Sequence, residues 1–158
     1  MSLHLKILVG TMTGTAELVA EELRDALAAK GVAAEIVLMN ACDAGTFAAG
    51  GAFLICTSTY GQGDVPDNAQ ALFAALETAK PDLSKVSYGL IALGDRTYAQ
   101  TFCFGGKRFD ALLQSFGAHR IGEVLLHDAS AGTVPEEVAL EWIGPWIDQF
   151  RRQCDKAA

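Results

Sequence analysis

No Cys-x-x-Cys pair, no His-Glu-x-x-His, no Gly-Lys-Ser/Thr tripeptide and no apolar run of membrane-spanning length occurs in this chain. Each absence removes a class of function. Cys42, Cys56, Cys103 and Cys154 are spaced neither as a redox pair nor as a metal site, so they read as reduced thiols. His4, His119 and His127 are scattered along the chain and form no zinc motif. Without Gly-Lys-Ser/Thr the chain is not a P-loop NTPase, and the first strand-to-helix turn also lacks the Gly-x-Gly-x-x-Gly of dinucleotide folds. Basic charge is scarce. Twelve Lys and Arg face 19 Asp and Glu, giving a net charge of −7 and a pI near 4.8. That balance excludes nucleic acid, whose phosphates require cations, and disfavours an anionic membrane surface. The acidity serves solubility or steers a basic partner protein. Met1 to Lys6 lead into an apolar strand with no signal-peptide core, so a cytoplasmic protein without membrane segments is expected.

What the chain does have is a regular alternation. Hydrophobic residues make up 51% of its 158 residues, enough for a single folded domain spanning residues 1–158. Short apolar runs at Leu5 to Gly10, Ala34 to Leu38, Ala52 to Thr57, Ser87 to Leu93 and Ile121 to His127 read as strands. Amphipathic stretches at Thr15 to Lys30, Asn68 to Ala79, Gly105 to Phe116 and Pro135 to Cys154 read as helices. Near-continuous apolar strands alternating with helices predict an α/β fold with a parallel sheet covered on both faces. Gly31 and Gly117 stand where helix-ending glycines belong, and Pro135 with Glu136 and Glu137 starts the last helix. Phe47, Phe53, Leu54, Ile55, Phe73, Leu76, Leu90, Ile91, Leu112, Leu113 and Phe116 are expected in the core. Trp142 and Trp146 share one helix face and read as packing, while Cys56 belongs to a buried strand.

Ligands of such sheets sit at the carboxyl ends of the strands, and three loops there have unusual chemistry. After strand one comes Thr11-Met12-Thr13-Gly14-Thr15-Ala16, a hydroxyl-rich turn opening a helix. Unpaired N–H groups and the helix dipole favour an anion at that place. No Lys or Arg lies in the turn, so it suits one terminal phosphate and not a metal-bound triphosphate. Helix capping by threonine explains the same residues equally well. After strand three runs Thr59-Tyr60-Gly61-Gln62-Gly63-Asp64, and after strand four Leu93-Gly94-Asp95-Arg96-Thr97-Tyr98. Two tyrosines and a phosphate turn on one edge describe a site for a phosphorylated aromatic ring system.

These three loops together resemble the flavodoxin family, closest to its small MioC-type members and to the FMN domains of diflavin reductases. The likeness continues through Lys80-Pro81-Asp82-Leu83-Ser84 and the tail from Pro135 to Ile147. It implies a doubly wound five-stranded parallel sheet of order 2-1-3-4-5 and FMN as cofactor. Thr11, Met12, Thr13, Gly14, Thr15 and Ala16 would hold the phosphate. Thr59, Tyr60, Gly61 and Gly63 would line one side of the ring, and Leu93, Gly94, Asp95 and Tyr98 the other. Phe102 and Cys103 would follow the rim, although the interval from Tyr98 to Phe102 is one residue longer than the family pattern. Asp128 matches the family's acidic residue after strand five, and Gln62 stands where relatives often have Glu. The absence of a long insert before the last helix matches the short-chain form.

By this resemblance the protein is a monomeric electron carrier. It would take electrons from an NAD(P)H-dependent flavoprotein reductase and pass them to an acceptor redox protein. Its rival is an FMN-dependent quinone or nitro-compound reductase on the same fold, which needs an open pocket over the ring. A signalling receiver would need an acidic cluster after strand one and an Asp ending strand three, where this chain has Gly10-Thr11 and Cys56-Thr57. A cofactor-free scaffold is the last alternative.

Overall fold

In the computed structural model, residues 4–11, 14–48, 50–59, 65–94 and 103–157 are described. The chain runs β1 (His4–Gly10), α1 (Thr15–Ala29), β2 (Ala33–Leu38), β3 (Gly51–Thr57), α2 (Asp67–Ala79), β4 (Val86–Gly94), α3 (Phe104–Ser115), β5 (His119–Arg120), β6 (Leu125–Asp128) and α4 (Pro135–Ala157). Every strand pairing is parallel, in the order β2-β1-β3-β4-β5, and β6 also pairs with β4.

Alternation within the strands distributes the core. Leu5, Ile7 and Val9 of β1 join Leu54, Cys56, Ile91 and Leu93 under α1 and α4, where Val19, Leu23, Ile143 and Ile147 complete the layer. Leu8, Phe53, Ile55, Tyr88 and Leu90 point the other way, against Leu72 and Leu76 of α2 and Phe109 and Leu113 of α3. With helices on both faces, neither set of alternate residues needs to be polar, which is why the strands read as unbroken apolar runs. Of the expected core, Phe73, Leu112 and Phe116 are partly buried and pack against the second cluster, and the rest are buried. Gly31 and Gly117 follow their helices with φ of 80° and 97°, a region costly for any residue with a Cβ.

The outermost strand departs from expectation. In place of one run from Ile121 to His127 there are two short pieces, 119–120 and 125–128, separated by a break. Gly122 turns the chain there with φ 72°. The two indoles of α4 take up the carbonyls that leave the ladder. Trp146 Nε1–H donates to Ile121 O at 2.9 Å and Trp142 Nε1–H to Glu123 O at 3.2 Å. The rings stack with centroids 5.6 Å apart, and Phe150 continues the stack at 5.3 Å. Gly89 of β4 makes room for them, since a Cβ on it would lie 2.5 Å from Trp146 Nε1. The tryptophans therefore pack, as expected, and also close a strand break.

A polar tie fastens α3 to the same edge. Tyr88 O–H donates to Asp110 Oδ1 at 2.5 Å, and the Arg120 guanidinium lies 2.5 Å from Asp110 Oδ2. Burial, then the neighbouring Asp110, pushes the Tyr88 phenol well above its usual range and keeps it a donor. No helix among the described residues is long and apolar enough to cross a membrane.

Candidate functional site

Parallel pairing brings the carboxyl ends of β1, β3 and β4 to one edge: Gly10 lies opposite Thr57, and Thr57 opposite Ala92. At Gly10 the strands come close enough that a Cβ would sit 2.6 Å from Thr57 Oγ1. Ser58 N–H donates to Gly10 O at 3.0 Å, carrying the ladder one step into the loop. The strands are thus paired up to the points where their loops begin.

The threonine-rich turn starts there. Gly14 stands at the N-cap of α1 with φ 94° and, being glycine, has no side chain of its own to cap the helix. Its N–H donates instead to Thr11 Oγ1 at 2.8 Å. Nothing lies within 4 Å of where a Gly14 Cβ would be, so the left-handed backbone alone requires glycine. The start of α1 keeps its positive end toward the turn, with Thr11 and Thr15 half-buried beside it. Ala16 is fully buried, and its carbonyl accepts from the Cys56 thiol at 3.4 Å. Its side chain belongs to the core, which leaves its N–H as the group facing the helix start. Burial pushes the Cys56 thiol up to about 12, which makes it a packing group and not a nucleophile.

Thr59 joins the other two loops. Its hydroxyl donates to Leu93 O at 3.1 Å and accepts from Gly105 N–H at 3.0 Å. The first turn of α3 presses in behind it: a Cβ on Gly105 would run into the Ser58 carbonyl, and one on Gly106 would lie 2.5 Å from Ala92 Cβ. Gly94 faces Cys103 closely, with its own Cβ position 2.6 Å from Cys103 N. Cys103 caps α3 in a left-handed conformation, φ 57°, and is fully buried. Its Sγ lies 3.3 Å from Ala92 O and 3.7 Å from His127 O, so the thiol points into the protein beneath β4 and β6. Asp128, at the end of β6, accepts from Ser130 N–H at 2.9 Å.

Of the residues singled out by sequence, Thr11, Gly14, Thr15, Ala16, Thr59, Leu93, Gly94 and Cys103 are described, and all lie at this edge. Met12, Thr13, Tyr60, Gly61, Gly63, Asp95, Tyr98 and Phe102 lie outside the described residues. Sequence reasoning missed Asn68, which bonds to Val9 O and Thr11 N–H, and the Gly105-Gly106 pair that lets α3 approach. Two adjacent glycines in a first helical turn are a legible signal of close packing. Asn68 gave no comparable sign. Among the described residues no cluster of His, Cys, Asp and Glu could hold a metal ion.

The flavodoxin family model matches residues 7–142. The chain is 42% identical over 140 residues to flavodoxin YqcA of Escherichia coli strain K12, covering 89% of this chain and 93% of that protein. It is 36% identical over 145 residues to protein MioC of the same strain, covering 92% and 97%. A cysteine-to-alanine variant of flavodoxin from Pseudomonas aeruginosa superposes with a TM-score of 0.84 at 32% identity, covering 94% of this chain and 99% of that one. A helix opening at a left-handed glycine, beside two loops tied together at one edge of a 2-1-3-4-5 sheet, is thus found in a chain that belongs to the flavodoxin family.

Proposed function

We propose that this chain is a monomeric, cytoplasmic FMN carrier acting as one domain over its 158 residues. It would receive electrons from an NAD(P)H-dependent flavoprotein reductase and deliver them to an acceptor redox protein. FMN, when bound, supplies one- and two-electron redox chemistry; the protein binds it and sets its surroundings. The observation that carries the reading is the start of α1. It opens at left-handed Gly14, and the adjoining turn carries threonine hydroxyls and no cation. Such a donor set fits a single terminal phosphate of the kind that ends FMN.

In this reading Thr11, Thr13 and Thr15 donate hydroxyls to the phosphate, the backbone of Met12, Thr13, Thr15 and Ala16 supplies N–H groups, and Gly14 N–H holds the Thr11 hydroxyl in place. Thr59, Tyr60, Gly61 and Gly63 line one side of the ring, with Leu93, Gly94, Asp95 and Tyr98 on the other. Phe102 lies at the rim, and Cys103 supports it from beneath Gly94. Net charge −7 supports docking of a basic reductase by long-range attraction.

The purified protein should be yellow and release FMN, identified by chromatography against FAD and riboflavin. FAD retained with FMN excluded would overturn the cofactor assignment. Oxidation of NAD(P)H without added reductase would favour the stand-alone enzyme. Reduction by a partner flavoprotein should slow as salt rises, because ions screen charges beyond about 10 Å at 0.1 M.

A further inference from the structure

Asn68 is the second residue of α2, yet its side chain does nothing for that helix, whose cap is Pro66 with no side-chain bond. Both polar ends of its carboxamide reach the end of β1. Oδ1 accepts from Thr11 N–H at 2.7 Å, and Nδ2 donates to Val9 O at 3.1 Å. On a strand, the carbonyl of one residue and the N–H two residues on point to the same side. Gly10 O is taken on the β3 side by Ser58 N–H, so Val9 O and Thr11 N–H face the β2 side. There β2 has ended, its last partner being Leu38 opposite Val9. The carboxamide has the donor and acceptor of a peptide group, and Asn68 stands in for the missing strand residue.

The line of bonds continues into the turn. Thr11, held through its N–H by Asn68, accepts from Gly14 N–H on its hydroxyl oxygen at 2.8 Å. That oxygen then accepts from Gly14 through one lone pair, which orients the hydroxyl, and its hydrogen is the part that can donate to an anion. Donation into the oxygen also strengthens the outgoing bond. We propose that Asn68 is a positioning residue for the phosphate turn: through Thr11 and Gly14 it fixes the direction of the Thr11 hydroxyl and the start of α1. This rests on the FMN reading and adds that the phosphate grip is set from α2, 57 residues along the chain.

The test titrates the full chain, stripped of flavin, with FMN and with riboflavin, which has the ring and no phosphate. Asn68→Ala should raise the FMN dissociation constant about tenfold, the worth of one hydrogen bond to a charged group. Riboflavin affinity should stay within about twofold, since the bonds lost lie away from the ring. On a Thr11→Val background, Asn68→Ala should cost FMN nothing further. The milder Asn68→Ser should shift the phosphorus NMR line of bound FMN and leave the visible flavin spectrum unchanged, which keeps the test open if Asn68→Ala does not fold. Equal loss of both flavins, additive losses with Thr11→Val, or an unmoved phosphorus line would overturn the proposal while FMN binding stands. A wild-type chain that binds neither flavin would overturn the FMN reading itself.

Discussion

The centre of the sheet and its β5/β6 edge solve the same problem in opposite ways. Both must satisfy backbone groups where regular pairing stops. At the centre, pairing runs to the last residues of β1 and β3, and small polar side chains finish it: Asn68 takes Val9 O and Thr11 N–H, and Thr59 ties Leu93 O to Gly105 N–H. At the edge the ladder breaks at Gly122, and large aromatic side chains finish it, with Trp142 and Trp146 taking Glu123 O and Ile121 O. Short amide and hydroxyl groups tie the loops to the strand ends. Stacked indoles bury apolar area against the strand break. On the proposed reading, the difference separates a part of the molecule that binds from a part that stabilises.

If that separation holds, damage at the two places should show in different measurements. The largest effect is expected at the turn, where on the proposed reading Thr13→Ala with Thr15→Ala would remove two bonds to a charged group and weaken FMN by about 3–6 kcal/mol in a fluorescence titration. Denaturant stability of the flavin-free protein should barely change. Trp146→Ala should do the reverse. It should cost about 3–5 kcal/mol in denaturant unfolding, as large-to-small changes in a core do, and leave FMN affinity of the folded fraction intact.

A paired insult sharpens the contrast. Gly89→Ala pushes a methyl against Trp146, and Gly105→Ala pushes one against Ser58. Each should cost about 1–3 kcal/mol of stability by overpacking, but only Gly105→Ala should also weaken FMN. Loss of FMN affinity in both would mean the two regions are one mechanical unit. The smallest effect belongs to Tyr98→Ala, expected to cost about 0.5–1.5 kcal/mol of FMN affinity beyond area burial and to restore flavin fluorescence. Unchanged affinity and quenching would remove Tyr98 from the ring's surroundings.

Much of this was legible from residue order. Apolar runs of strand length, separated by helices ending at Gly31 and Gly117, specify a covered parallel sheet because both faces of each strand must be buried. A threonine turn with one glycine specifies an open helix start, because chain direction and backbone chemistry are local. The edge strand was not legible. Ile121 to His127 is apolar enough to read as continuous, and its break depends on indoles from a helix some twenty residues later competing for its carbonyls.

Residue order by itself determined the α/β alternation, the helix limits, the anion-suited turn and, through its loops, the flavodoxin resemblance, since each depends on neighbours in the chain. Tertiary structure alone decided that Asn68 completes β1, that Thr59 joins two loops, that the Cys103 thiol points inward and that two tryptophans close a strand. Each of those outcomes depends on which polar groups lose their partners when the sheet ends. That is settled only when segments far apart in sequence have packed.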